Sequence, residues 1–413
     1  MTDLRQQALD YHAFPQPGKI AVSLTKPAQT ARDLALAYSP GVAEPVREIA
    51  ADPESAYRYT AKGNLVAVIT NGTAILGLGN LGPLASKPVM EGKALLFKRF
   101  ANIDAIDIEV QHTDNDDFVR TVANIAGTFG GINLEDIKAP ECFEIEARLI
   151  ELCDIPVFHD DQHGTAIVTA AGLLNALALQ GKELASARIV CLGAGAAAVA
   201  CMELLIACGA RRQNIFMLDR NGVIRSDRGD LNAFKQRFVN DAGARDLDQA
   251  IEGADVFLGV SGANLLSEAQ ILRMAAKPVI FACSNPDPEI RPELVRAVRP
   301  DAIMGTGRSD YPNQVNNVLC FPFLFRGALD VRARRIDLGM KLAAVEAIRA
   351  LAHEPVPAEV LSAAGVSSLA FGPDYVLPKP MDPRLLPRVA RAVACAAIES
   401  GVARLPLPAG YML

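Results

Sequence analysis

The sequence predicts an α/β fold in two domains, and three observations carry that expectation. The chain has 413 residues, more than one ordinary core accommodates. From residue 164 helical and strand segments alternate, each strand apolar throughout, as a parallel sheet covered on both faces requires. ARIVCLGAGAAAV, 187–199, runs from an apolar strand through two glycines into a helix of small residues, the start of a Rossmann-type doubly wound sheet.

The elements follow in order. Pro15, Pro17, Pro27, Pro40 and Pro45 break the first fifty residues into loops around a short helix, QTARDLALAYS. In NLVAVITNGTAILGLG two apolar runs flank Asn71-Gly72, which predicts a tight hairpin because both positions accept positive φ. Residues 87–101 and 115–129 read as helices and IDAIDIEV, 103–110, as a strand. KPVIFACSNPD and PDAIMGTGRSD each read as a buried strand ending in a polar loop. The last ninety residues are helical and Ala-rich around FGPDYVLPKPMDP, and are expected to pack back on the first domain. The expected division is 1–158 with 318–413 as the catalytic domain, and 159–317 as the dinucleotide domain. RLPLPAGYML reads as a linker, so the chain is expected to be part of something longer.

Composition excludes several functions. Half the residues are apolar and 21% charged, as in soluble globular proteins. The net charge of −6 with no basic stripe argues against a nucleic-acid partner. MTDLRQQALDYH lacks the apolar core of a signal peptide, and a cytoplasmic protein is expected. GTAIVTAAGLLNALALQG, 164–181, carries no charge, yet its polar residues and missing aromatic belt favour a buried helix over a membrane span. Eight scattered cysteines without a C-x-x-C pair read as small buried hydrophobes in a reducing compartment.

Two glycine loops compete for a dinucleotide. GLGNLG, 77–82, matches G-x-G-x-x-G literally, but follows the expected hairpin and runs into Pro83. The second loop has the right context. Gly193 makes the turn, Gly195 admits the pyrophosphate with Ala194 between them, and Ala198 lets helix and strand pack closely. Asp219, ending NIFMLD 24 residues past Gly195, is placed to accept from a ribose hydroxyl. Asp219 favours NAD, while Arg220 beside it could clamp the 2′-phosphate of NADP, so the choice stays open.

The stretch VFHDDQHGTA, 157–166, sets Asp160 and Asp161 between His159 and His163. The histidines have the spacing of H-E-x-x-H, but an Asp replaces the Glu, no third ligand follows, and Pro156 and Gly164 make a continuous helix doubtful. With Glu135 and Asp136 of GINLEDIKAP, the aspartates instead form an oxygen-rich set suited to Mg²⁺ or Mn²⁺. A divalent ion beside a nicotinamide suits oxidation of a hydroxy acid followed by loss of a carboxylate, given one base and one acid.

LAYSPGVAEPV, ITNGTAILGLGNLGPLASKPVMEGKALLF, GGINLEDIKAPECFEIE, VFHDDQHGTA, GAGAAAV, SNPDPEI and QVNNVLCFPF together resemble the malic enzyme family, in its bacterial form, over almost the whole chain. The resemblance implies oxidative decarboxylation of (S)-malate to pyruvate and CO₂ with NAD or NADP and Mg²⁺ or Mn²⁺, with oxaloacetate decarboxylation as a further expectation. It implies a catalytic domain similar to the N-terminal domains of amino-acid dehydrogenases, whose metal-independent chemistry is the alternative reading. By the same resemblance Tyr38 is the general acid and Lys93 the general base, with a pKa pulled down by burial and metal. Asp160 orients Lys93; Glu135, Asp136 and Asp161 hold the metal; Asn285 and Asn317 contact substrate and nicotinamide. Ala74 stands where the animal branch has a malate-gripping arginine, so another anchor is implied, such as GLGNLG amides. His159 and His163 are expected to be structural or to support the ligands from behind, rather than to bind the metal themselves. A homodimer or higher homo-oligomer is implied, as is a following phosphotransacetylase-like domain in bacterial relatives.

Overall fold

The structure is a computed structural model that describes residues 4–411. Two parallel sheets organise it. The first has the order β2-β1-β3-β4, with β1 Leu65–Thr70, β2 Asp104–Glu109, β3 Gly131–Leu134 and β4 Val157–His159. The second has six strands. These are β5 Ile189–Leu192, β6 Ile215–Asp219, β7 Gly222–Val223, β8 Val256–Gly259, β9 Val279–Ala282 and β10 Ile303–Thr306, in the order β10-β9-β8-β5-β6-β7. Only β7 runs antiparallel. The order reverses between β5 and β8, the crevice where doubly wound sheets bind ligands.

β1 corrects the expected hairpin. It pairs in parallel with β2 and β3, Val68 opposite Asp107 and Asn133. Val66–Thr70 are fully buried, and a two-sided burial of this kind suits a central parallel strand. Asn71-Gly72 instead starts a loop that closes by the Gly82 amide bonding the Gly72 carbonyl at 3.1 Å. Gly72 has φ +64°, and a Cβ there would lie 2.2 Å from the Gly82 carbonyl oxygen. The turn chemistry was legible, but the partner of the strand was not.

The stretch doubted as a helix is one. Asp160–Leu179 is continuous and follows β4 directly. Fourteen of its twenty residues are buried, and it packs on Ala196–Ala207 and Leu338–Leu351. It thus lies between the two sheets, and no described helix is long and apolar enough to cross a membrane. The C-terminal region joins both sides of the molecule. Phe321 and Phe325 of the Phe321–Asp330 helix meet Phe97 edge-on at 4.8 and 5.2 Å, and Phe325 meets Phe158 at 5.9 Å. All eight cysteines are free, five of them buried.

Gly172 marks a tight contact of the central helix with the core. A Cβ there would lie 2.9 Å from the Phe281 ring of β9 and 3.1 Å from Leu377. Gly172→Val is expected to cost at least about 2 kcal/mol through overpacking, read as a lower urea midpoint; an unchanged midpoint would show that the ring can move aside.

Candidate active site

The register of β3 on β4 builds the site. Leu134 pairs with His159, so both chains leave the sheet side by side at their carboxyl ends. The next residues are Glu135-Asp136 on one strand and Asp160-Asp161 on the other. Asp136 adopts φ +55°, a conformation that Asp tolerates better than most residues. Its carbonyl accepts from the Thr73 and Ala74 amides at 3.1 and 2.9 Å. Its own amide donates to Asp161 Oδ2 at 2.7 Å. Asp160 and Asp161 open the long helix, where its N-terminal partial positive charge favours acids.

Ligand atoms of Glu135, Asp136 and Asp161 lie within 4.8 Å of one another. Glu135 and Asp136 are 3% exposed. Burial and then the Asp161 charge push the Asp136 carboxyl up to about 7 and the Glu135 carboxyl well above the usual range. The buried Asp136 Oδ2 has no hydrogen-bond partner. An all-oxygen set with mutual repulsion and an unpartnered oxygen fits a hard divalent cation.

Lys93 lies beside this group on the Pro83–Ala101 helix, 7% exposed. Its Nζ is 2.5 Å from Asp160 Oδ2, 3.1 Å from Glu135 Oε1 and 4.4 Å from the Phe321 ring centroid. Burial lowers its pKa, but Asp160, Glu135 and Asp161 outweigh burial and hold the ammonium form above the ordinary lysine range. The expected depression belongs to the site with its metal bound, where the ion's charge offsets these carboxylates. Asn317 donates from Nδ2 to the same Asp160 oxygen. Asp160 is fully buried, and a Cβ on Gly164 would overlap its Oδ1, which explains a glycine within the helix.

Neither histidine belongs to the cation group. His159 Nδ1 is 3.7 Å from Asp161, and His163 Nε2 bonds Glu146 at 2.9 Å. Glu146, which sequence reasoning missed, also accepts from the His159 amide at 2.9 Å and Gln162 at 3.2 Å. Burial opposes its ionisation, yet His163, Lys341 and His159 bring it down to about 2. It pins the strand-to-helix junction from the Glu141–Leu152 helix.

The second glycine loop has the geometry a pyrophosphate needs. Gly193 has φ +131°, and a Cβ there would lie 2.8 Å from the Val260 carbonyl oxygen. Gly195 caps the Ala196–Ala207 helix without a side-chain bond, exposed and with open space where a Cβ would point. Ala198 is buried and Ala194 partly buried. Asp219, at the end of β6, bonds Arg228 at 2.9 Å and Lys235 at 2.6 Å. Arg220 is exposed and takes no part in that cluster. The basic partners lie nine and sixteen residues on, a spacing without a local signal.

Asn285 joins the two halves. Its carbonyl oxygen is 2.8 Å from the ideal Cβ position of Gly77, and its side chain packs on Gly307. In the GLGNLG loop the amides of Leu78 and Gly79 bond the Ile75 carbonyl and that of Gly82 bonds Gly72, so these three are not free for a carboxylate. Tyr38 stands apart. It is 75% exposed, and among the described residues it bonds neither Lys93 nor the acids.

A doubly wound sheet with an open glycine loop, beside a buried lysine and a carboxylate group, defines a dinucleotide-dependent oxidoreductase. Residues 17–150 match the model of the malic enzyme N-terminal domain, and 162–362 that of the malic enzyme NAD binding domain. The chain is 69% identical to the NADP-dependent malic enzyme of Halomonas elongata, over 100% of this chain and 98% of that one. It is 60% identical to the NADP-dependent malic enzyme of Salmonella typhimurium over 98% of this chain, but spans only 54% of that protein. The crystal structure of malic enzyme from Pyrococcus horikoshii superposes with a TM-score of 0.90 at 43% identity, covering 99% of this chain and 94% of that one. The chain belongs to the malic enzyme family.

Asp161→Ala is expected to weaken Mn²⁺ binding at least about tenfold, measured by calorimetric titration of the ion alone. Equal affinity in the variant would remove Asp161 from the ligand set.

Proposed function

We propose that this chain catalyses oxidative decarboxylation of (S)-malate to pyruvate and CO₂ with reduction of NAD(P)⁺. The observation that carries the reading is the convergence of Glu135, Asp136 and Asp161 within 4.8 Å, beside the Lys93–Asp160 pair. An amino-acid dehydrogenase has no use for such a group. The working division is 1–158 with 318–413 for substrate and metal, and 159–317 for the dinucleotide, acting as a homo-oligomer.

Glu135, Asp136 and Asp161 would hold Mg²⁺ or Mn²⁺. Bound there, the ion polarises the substrate's oxygens and offsets the carboxylate charge that holds the proton on Lys93. Lys93 takes the proton of the C2 hydroxyl as the C2 hydride leaves for the nicotinamide. Asp160 and Asn317 fix Lys93 Nζ, because both nitrogens share one carboxylate oxygen. CO₂ then leaves from the β-carboxyl, and the electron pair left at C3 accepts a proton from Tyr38. Gly193, Ala194 and Gly195 receive the pyrophosphate at the helix N-terminus. Asn285, at the seam of the two halves, faces both nicotinamide and substrate.

NADP is the cofactor this site favours. The Asp219 charge is balanced by Lys235 and by Arg228, which Asp230 shares, so a 2′-phosphate meets Lys235 and a paired Arg228 rather than a bare carboxylate.

Lys93→Ala should lower kcat with malate and Mn²⁺ by roughly 100- to 10,000-fold while NADPH binding, followed by its fluorescence, stays near that of the parent. Retained turnover would take the base role from Lys93. Lys235→Ala should raise KM for NADP⁺ by about tenfold and leave KM for NAD⁺ nearly unchanged. An equal change for both cofactors would mean that Lys235 only supports the fold.

A further inference from the structure

The loops at the carboxyl ends of β8 and β9 are tied together by an acid to which the mechanism gives no role. Glu289 is fully buried, while Ser261 and Asn285, on the two loops it joins, are exposed. Its Oε1 accepts from the Ser261 amide at 3.1 Å and from the Ser284 hydroxyl at 2.5 Å. Its Oε2 accepts from the Ser284 amide at 3.2 Å. The Ser261 amide also reaches Ser284 Oγ at 3.1 Å. Beside this tie the Asn264 and Leu266 amides bond the Pro288 and Glu289 carbonyls, each at 3.0 Å. The loop after β8 and the loop after β9 are thus one body. β8 ends in glycine to admit the acid, since a Cβ on Gly259 would lie 2.3 Å from Glu289 Cδ.

The choice of a carboxyl group is informative. Among the described residues no cation pairs with Glu289, and only neutral donors reach it. Burial pushes its carboxyl up, against the pull of Ser284, Ser261 and its own amide. A buried acid without a cation is a costly way to join two loops. What it offers is acceptors alone, with no hydrogen to place, where three donors from two loops converge. Perturbed buried acids of this kind gather where a site needs fixed geometry.

Each loop leads to one side of the cleft. The Val260 carbonyl oxygen lies 2.8 Å from where a Gly193 Cβ would stand, so the pyrophosphate turn rests on the loop after β8. Asn285, four residues before Glu289, meets Gly77 and Gly307 at the seam. The tie at Glu289 therefore connects the turn under the dinucleotide to the amide that faces the substrate.

We propose that Glu289 is a positioning residue for hydride transfer: it holds the loop under the dinucleotide and the loop carrying Asn285 at one spacing, so that nicotinamide and substrate meet in register. It acts through Ser261 and Asn285 and touches neither reactant. The reaction it serves rests on the malate reading; the tie rests on the hydrogen bonds alone.

Glu289→Gln sets an NH₂ group against one of the two backbone donors, so one arm of the tie opens. The variant is expected to lower kcat with malate and Mn²⁺ by at least about tenfold and to leave KM for NADP⁺ nearly unchanged. The isotope effect from malate deuterated at C2 should rise, because hydride transfer becomes the slower step. A residue that only supports the fold would move the urea midpoint and leave that isotope effect alone. Parental kcat, or a lower kcat without a larger isotope effect, overturns the proposal. The emission of bound NADPH reads the nicotinamide's surroundings and needs no malate. Parental NADPH affinity with altered bound emission supports the tie even if the parent chain does not turn over malate, and unchanged emission overturns it. If Glu289→Gln loses its cooperative urea transition, Ser284→Ala keeps the carboxylate and both backbone donors. It is expected to lower kcat about threefold with a larger isotope effect, and parental values of both overturn the proposal.

Discussion

Four carboxyl groups around one ammonium group, largely out of water, is the constraint the rest of the molecule serves. Glu135, Asp136, Asp160 and Asp161 converge on Lys93 from two adjacent strand ends. Ionised together they repel, and the raised pKa of Glu135 and Asp136 records that cost. The fold meets it in three ways. Lys93 and Asn317 bind one Asp160 oxygen. The helix N-terminus faces Asp160 and Asp161. Glu146, ionised, locks the His159 amide, Gln162 and His163 from below, so the junction cannot relax away from the cluster.

Packing carries the same demand outward. The Asp160–Leu179 helix begins inside the carboxylate group and packs along its buried length on the Ala196–Ala207 and Leu338–Leu351 helices. Gly164 leaves space for the Asp160 carboxylate, and Gly172 leaves space for Phe281. Both glycines cost helix propensity. Each is explained by a side chain from a distant part of the sequence or by the site itself, not by local flexibility. Phe321 both meets Phe97 edge-on and lies under Lys93 Nζ, so the C-terminal region supports the base as well as the core.

Much of this was legible in the residues. Apolar strands with short polar ends gave the dinucleotide sheet, and the paired acids marked the carboxylate cluster, because both signals are local. Partners distant in sequence were not legible. Asn71-Gly72 has the chemistry of a hairpin turn, but β1 is central and pairs only in parallel. Pro156 and Gly164 look like helix breakers, but Pro156 precedes β4 and Gly164 is needed by Asp160. The acids that hold the proton on Lys93 come from strand ends far along the chain, so their pull on it had no local signal. Glu146 looked like any acid on an amphipathic helix, and only the fold shows it under the strand end.

Asp219 shows how much the reading of a motif residue depends on its neighbours. An acid at the end of the second strand of such a sheet is ordinarily read as a ribose-hydroxyl acceptor and a repulsive charge toward a 2′-phosphate. That reading assumes a free carboxylate. Here Asp219 Oδ2 already accepts from both Arg228 and Lys235, and the Asn221 amide bonds its other oxygen. Asp230 also pairs with Arg228, so two cations balance two acids and the cluster is neutral with both acids ionised, although burial alone would favour the neutral form of Asp219. The Asp219 carboxylate therefore positions two donors and is not a bare charge. The neighbours that neutralise the acid, and not the acid alone, set the charge at the end of β6.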